Sequence, residues 1–299
     1  MDDGLRASGS STHDGLRASG SSTQQWTIGA VTIHSVLEAV IPTRPERLFR
    51  ELPAELPPSL SPHYVDDAGL LSVAIQSFFI ECGEDLVVVD SCFGEDHDLP
   101  YRLPIDPDQY ARSLAAAGFT PDAVTAVVCT HLHLDHAGRN TTLVDGVWVP
   151  TYPNAEYLIT EPEYTFWQDN PEMNRAKSES VEPLARHDVL RLTDTDHAIT
   201  ENIQLVPTPG HTPGHCAVRV ESAGAAALIC GDVIHHPLQI AYPDICAFPD
   251  ADPETSVATR TRLLEQLATD QTLLVGTHFA APSSGTIKRG NEFYEWVPS

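Results

Sequence analysis

Four side chains that bind metals well crowd into six residues of this 299-residue chain: His131, His133, Asp135 and His136, in the run Thr130-His131-Leu132-His133-Leu134-Asp135-His136-Ala137-Gly138. In extended backbone, residues two apart face the same way, so His131 and His133 can grip one ion together. Asp135 and His136 follow where the chain is expected to turn into a helix, which aims them at a neighbouring position. As free groups packed side by side the four would repel or stay unsatisfied, so coordination is the reading that accounts for them. More ligand-competent residues stand just past apolar, strand-like segments. They are Pro209-Gly210-His211-Thr212-Pro213-Gly214-His215 after Val206, Gly231-Asp232 after Ala226 to Cys230, and Thr277-His278 after Gln271 to Val275. Strand ends are rigid mounts for site residues. Two divalent cations about 3.5–4 Å apart share a water and present it as hydroxide to an electrophilic carbon or phosphorus, which makes hydrolysis the expected chemistry. On residue chemistry alone, His211 and His215 are equal candidates.

The elements that must carry these residues can be placed by apolar pattern. The first 23 residues repeat DGLRASGSST, at Asp3 to Thr12 and Asp14 to Thr23; this Gly/Ser-rich stretch has no apolar period and reads as a disordered tail. Residues 24–299 are expected to form one domain. Trp26 to Ile41 suggests an opening strand pair, and a Pro-rich stretch from Pro42 to Pro62 then crosses the surface. Leu71 to Glu81 and Leu86 to Val89 read as a hairpin whose second strand is fully buried. Asp108 to Gly118 is expected to be a helix, Val124 to Cys129 and Glu156 to Ile159 strands, and Glu161 to Gln168 and Glu172 to Ala185 helices. Ile203 to Val206, Ala217 to Val220 and Ala226 to Cys230 follow as strands, Pro253 to Ala268 as an amphipathic helix, and Gln271 to Val275 as the last strand. Strands in both halves, with helices after each group, predict an α/β fold of two sheets with helices packed outside.

Composition excludes several partners. There are 42 acidic residues against 17 Lys and Arg, a formal charge of −25, and only two lysines, Lys177 and Lys288. Tracking a phosphate backbone needs cations, so nucleic acid is excluded, and an anionic membrane surface is disfavoured for the same reason. No apolar run approaches the roughly 18 residues a bilayer span needs. The six cysteines form no C-x-x-C pair and most fall in apolar segments, which suggests buried, reduced thiols. With no apolar signal region visible at the N-terminus, a cytoplasmic protein is expected.

Taken together, His-x-His-x-Asp-His, Pro-Gly-His-Thr-Pro-Gly-His, Gly-Asp and Thr-His, in this order between about Ser77 and Ala280, resemble the metallo-β-lactamase superfamily. The resemblance implies an αββα sandwich, two mixed sheets with helices on the outer faces, and a dinuclear site at one edge. By motif position, His131, His133 and His211 resemble the ligands of a first metal, Asp135, His136 and His278 those of a second, and Asp232 the carboxylate that bridges both. Zinc is the expected metal, with iron, manganese and cobalt as alternatives. His215 then stands behind the ligands, and Asp90 resembles a position that orients the metal loop.

Within the superfamily, the scarcity of cations sets aside the nuclease members. True β-lactamases with this motif generally lack the bridging Asp and are exported. Glyoxalase II uses basic residues of its C-terminal region, where this chain has only Lys288 and Arg289 after His278. What remains resembles the lactonases and the methyl-parathion-hydrolase-like enzymes. Many quorum-quenching lactonases carry a Tyr three residues after the bridging Asp; here His235 stands there, as in the methyl-parathion-hydrolase-like branch. His236-Pro237-Leu238-Gln239 and Phe248-Pro249-Asp250-Ala251-Asp252-Pro253 are also similar to that branch. A neutral imidazole at His235 can donate a hydrogen bond to a carbonyl or phosphoryl oxygen. The expectation is therefore a dinuclear hydrolase of small neutral lactones or esters. Hydroxide shared by the cations would attack the carbonyl, and Asp232 or Asp135 would pass the proton to the departing alkoxide. Organophosphate triester hydrolysis is the alternative for the same site, and an iron-dependent redox reaction a more distant one; a homodimer is compatible with the sequence. Phe78, Phe79, Phe93, Trp148, Phe166 and Trp167 are candidates for an apolar substrate wall, with Phe166 and Trp167 as a lid.

Overall fold

Side chains alternate across a strand, and in this chain the two faces of each sheet are filled by different layers of core. The computed structural model describes residues 23–60, 62–94, 105–168, 170, 176–290 and 294–299. All but the last residue of the expected N-terminal tail, and the start of the helix expected at Glu172, lie outside the described residues.

The first sheet has the order β1-β2-β3-β4-β5-β8-β9. It is built from β1 (Gln25–Ile28), β2 (Val31–Thr43), β3 (Leu71–Cys82), β4 (Asp85–Val89), β5 (Ala126–Val128), β8 (Glu156–Thr160) and β9 (Leu190–Thr193). The second has the order β10-β11-β12-β13-β14-β15. Its strands are β10 (Ile203–Pro207), β11 (Cys216–Ser222), β12 (Ala225–Ile229), β13 (Leu273–Val275), β14 (Ser284–Arg289) and β15 (Tyr294–Pro298). A separate hairpin joins β6 (Thr141–Val144) to β7 (Val147–Pro150). The helices are α1 (Pro45–Leu48), α2 (Gln109–Ala117), α3 (Leu134–Ala137), α4 (Glu161–Gln168), α5 (Glu182–Arg186), α6 (Leu238–Ala241) and α7 (Pro253–Asp270).

Phe78, Ile80, Val87, Val89 and Val128 point from the first sheet into a layer shared with Ile203, Leu205, Val218, Val220, Ile229 and Val275 of the second. Their strand neighbours face the other way: Phe79, Val88 and Val127 pack with Tyr110 and Leu114 of α2 and Leu184 of α5. On the far side of the second sheet, Leu228, Leu274 and Ile287 meet Leu263, Leu264 and Leu267 of α7 together with Phe49 and Leu60 from the Pro-rich stretch and Tyr64 just after it. The result is the expected αββα layering. It also shows why β4 and β5 read as unbroken apolar runs: both faces are covered.

Two expectations need correction. Gln271 to Val275 does not hold the last strand, because β14 and β15 follow it and complete the second sheet. Phe78 and Phe79 are core residues, Phe78 between the sheets and Phe79 stacked on Phe119 at 5.2 Å, so neither lines a substrate wall. All six cysteines are free, five of them buried. No helix among the described residues is long and apolar enough to cross a membrane.

Candidate metal centre

The sandwich brings four strand ends to one edge. β5 runs into His131 and His133 and then α3, which carries Asp135 and His136; the β10–β11 turn holds His211; Asp232 follows β12 and His278 follows β13. The side chains gather as two groups whose ligand atoms lie within 4.8 Å of one another, His131, His133, His211 and Asp232 in the first and Asp135, His136 and His278 in the second.

Asp232 joins the two groups. Its Oδ2 lies 3.4 Å from Nε2 of His211 and 3.7 Å from Nε2 of His131. Its Oδ1 lies 3.0 Å from Nε2 of His278 and 3.2 Å from Nε2 of His136. Despite those distances Oδ1 is buried with no partner in hydrogen-bonding geometry. In the first group, Nδ1 of His133 is 2.8 Å from Nε2 of both His131 and His211. In the second, Nε2 of His136 and of His278 are 3.1 Å apart, and Asp135 Oδ2 is 3.7 and 3.6 Å from them. These atoms converge on common points instead of pairing off, and imidazole nitrogen with carboxylate oxygen is a donor set that suits zinc and similar divalent ions. The residues therefore fit two divalent cations.

The remaining ring nitrogens show how the chain fixes each imidazole. Nδ1 of His136 lies 2.8 Å from Asp90, that of His211 3.0 Å from Asp250, and that of His278 2.7 Å from the carbonyl of Ala74. Each of these Nδ1–H groups donates to its oxygen, which leaves Nε2 with a free lone pair facing the site. Asp90 also accepts from the Thr130 amide at 2.8 Å and the Thr130 hydroxyl at 2.9 Å, so it holds the start of the histidine loop as expected. Burial keeps His131 and His211 well below the ordinary imidazole range, hence neutral and able to ligate. Burial opposes protonation of His136 as well, but Asp232, Asp135 and Asp90 outweigh it and push that ring well above its ordinary value. Three carboxylates thus create a demand for positive charge in the second group.

His215 is resolved by its hydrogen bonds. Its Nε2 accepts from the Asp232 amide at 2.9 Å and its Nδ1 faces Thr208 Oγ1 at 2.8 Å, so no lone pair is left for a cation. Gly231 makes this contact possible, since a Cβ there would lie 2.6 Å from the His215 ring and its φ is +54°. His235 is 3% exposed, both of its ring nitrogens lack a hydrogen-bond partner, and Nε2 sits 3.3 Å from Asp232 Oδ2. Of the aromatic candidates, Trp167 packs edge-on against His133 at 5.4 Å. Phe166 instead lines an outer groove with Glu161, Pro162 and Thr165.

Sequence reasoning missed several supporting groups. Asp250 fell in a stretch singled out for other reasons, but nothing in its spacing ties it to a histidine 39 residues away. The Gln76 amide lies 3.1 Å from the Thr277 and Phe279 carbonyls and steadies the His278 turn, again through a contact remote in sequence.

Residues 73–278 match the family model of the metallo-beta-lactamase superfamily. The N-acyl homoserine lactonase AiiA of Bacillus thuringiensis subsp. kurstaki is 22% identical over 224 residues, which span 70% of this chain and 82% of that protein. Among solved structures, AidC, a dizinc quorum-quenching lactonase in complex with a product, superposes with a TM-score of 0.77 at 22% identity, covering 93% of this chain and 97% of that one. AbOPH, a hydrolase in the beta lactamase superfamily, gives 0.75 at 22% identity over 94% and 98%. At such identities the two structures speak to the fold.

Proposed function

Since the chain belongs to the metallo-beta-lactamase superfamily, whose members similar to it are metal-dependent hydrolases, we propose that it opens small neutral lactones or esters at a two-metal site. The observation that carries this reading is Asp232, one buried carboxylate whose two oxygens face the two ligand groups separately. In this reading His131, His133 and His211 hold the first cation, Asp135, His136 and His278 the second, and Asp232 both. Zinc is the proposed metal. Bound there, divalent cations would supply a water acidified towards neutrality and a Lewis acid for a carbonyl oxygen.

The chain's own groups do the rest. Asp90, Asp250 and the Ala74 carbonyl hold three imidazoles in the ligating tautomer. His235, buried beside Asp232 with unpartnered nitrogens, donates a hydrogen bond to the oxygen on which charge develops. Of the two carboxylates, the Asp135 side chain is 25% exposed and that of Asp232 only 4%, so Asp135 is the better placed to hand a proton to a departing alkoxide. The strongly acidic chain favours a neutral substrate over an anionic one.

A hydrolysis panel tests the assignment. Protein loaded with zinc is assayed against N-acyl homoserine lactones, an aromatic lactone, aryl esters, a cephalosporin and a phosphotriester, with metal content measured in parallel. Turnover of lactones or esters with two cations per chain is expected. A phosphotriester as the sole substrate, or stoichiometric iron with oxygen consumption, overturns the reading.

A further inference from the structure

Glu163 is a buried carboxylate in α4 that belongs to neither ligand group, and three of its four hydrogen bonds go to the loops of one of them. Its Oε1 accepts from the amide of Leu132 at 3.0 Å and from Nε1 of Trp167 at 2.6 Å. Its Oε2 accepts from the Thr212 hydroxyl at 2.6 Å and the Gly214 amide at 3.2 Å. Leu132 lies between His131 and His133; Thr212 and Gly214 flank the far side of His211. One carboxylate therefore spans the two loops that supply all three histidines of the first group. Trp167 adds a second link, since its ring also packs on His133.

The surrounding sequence is shaped around this contact. A Cβ on Gly214 would fall 2.1 Å from the Glu163 amide nitrogen, so only glycine lets the loop approach α4 closely enough. Burying a carboxylate is costly unless it is fully hydrogen-bonded, and burial does raise the Glu163 pKa while its four donors work against that rise. Among the described residues Glu163 makes no hydrogen bond to a loop of the second group, whose residues are held instead by Asp90, the Ala74 carbonyl and the Gln76 contacts.

We propose that Glu163 is a positioning residue for the first cation alone: it fixes the spacing between the His131–His133 loop and the His211 loop, so affinity at that site depends on it and affinity at the Asp135–His136–His278 site does not. The inference rests on the two-metal reading above.

The test measures the two cation affinities separately, by chelator competition with cobalt or zinc, in the full chain. His211→Ala and His278→Ala each remove a ligand from one site, and their cobalt spectra identify which ion is lost. In Glu163→Gln the amide NH2 faces donors that the carboxylate accepted, so at least one backbone N–H loses its acceptor. Because outer partners of metal ligands are worth about 10–100-fold in affinity, first-site affinity should fall by that factor while second-site affinity stays within about twofold. Thr212→Val and Trp167→Phe each remove a single donor, and should shift the first site in the same direction by less; they decide the matter if Glu163→Gln does not fold. A purely scaffolding role would lower the melting temperature of the metal-free protein and leave the ratio of the two affinities unchanged. Parallel loss at both sites, or no loss at either, overturns the proposal. Unmutated protein that binds fewer than two cations per chain overturns the two-metal reading instead.

Discussion

Replacing Asp250 by Asn removes a negative charge that lies behind His211, and on the two-metal reading the first site should weaken. Asp250 is fully buried, with Oδ1 3.0 Å from Nδ1 of His211 and Oδ2 accepting the Ala247 amide at 2.9 Å. An Asn can satisfy only one of these. If its amide oxygen faces His211, the NH2 meets the Ala247 N–H and a buried donor is orphaned, at about 1–3 kcal/mol. If the amide turns over, the NH2 faces Nδ1, and His211 must carry its proton on Nε2, the nitrogen directed at Asp232 and the first group. In that tautomer it cannot ligate. In both orientations His211 loses the carboxylate charge that makes it a more basic ligand, so affinity falls, and the 10–100-fold typical of such partners corresponds to about 1.4–2.7 kcal/mol. Chelator competition reads this directly. Thermal unfolding at a fixed excess of metal should show the same free energy as lost stabilisation, because a ligand that binds only the native state stabilises it in proportion to the logarithm of its affinity. First-site affinity within twofold of the unmutated protein would refute the tautomer argument.

Three further outcomes follow from the same geometry. Asp232→Asn should lose most turnover and at least one cation per chain, since one of the two oxygens that face the ligand groups becomes an amide NH2 with no lone pair to offer; near-normal rates with full metal content would contradict its place between the groups. His235→Leu should keep both cations but lower kcat by about 10²-fold, the usual cost of one donor to a developing charge, and unchanged kcat would remove His235 from the reaction. Burial holds His236 at about 4, with one nitrogen 2.9 Å from the Tyr64 carbonyl and the other accepting the Leu238 amide. The unfolded chain, with an ordinary value near 6.5, takes up that proton first, so stability is present above about pH 6.5 and falls by about 3 kcal/mol as the pH drops to 4. Urea midpoints of the metal-free protein across this window should decline, and those of His236→Asn should decline less; equal slopes would refute the assignment.

The sequence was most informative where chemistry and strand ends coincide. His131, His133, Asp135, His136, Asp232 and His278 stood out because each follows an apolar segment, whereas His211 was separated from His215 only by family resemblance; the structure places all seven side chains together. Asp90 was recognisable only through family resemblance. Glu163, Asp250 and Gln76 were not recognisable at all, because their roles depend on partners 31 to 203 residues away and a lone buried acid or amide has no periodic signature. Among the elements, the long apolar strands were clear. The β14–β15 pair was not, since Ser284-Gly285-Thr286-Ile287-Lys288-Arg289 has a single large apolar residue. The β6–β7 hairpin did carry a signal: Asp145 and Gly146 turn with φ of +50° and +80°, the two-residue turn that Asp-Gly favours between strands.

Neither sheet owns a complete coordination set. Residues up to β9 supply His131, His133, Asp135 and His136, and residues from β10 onward supply His211, Asp232 and His278. Ions held here would cross-link the chain between His133 and His211, 78 residues apart, and between His136 and His278, 142 apart, in a protein whose cysteines are all free. Closing loops of that length costs the unfolded chain considerable entropy. Coordination would therefore do for this fold what disulfides do for others, but reversibly.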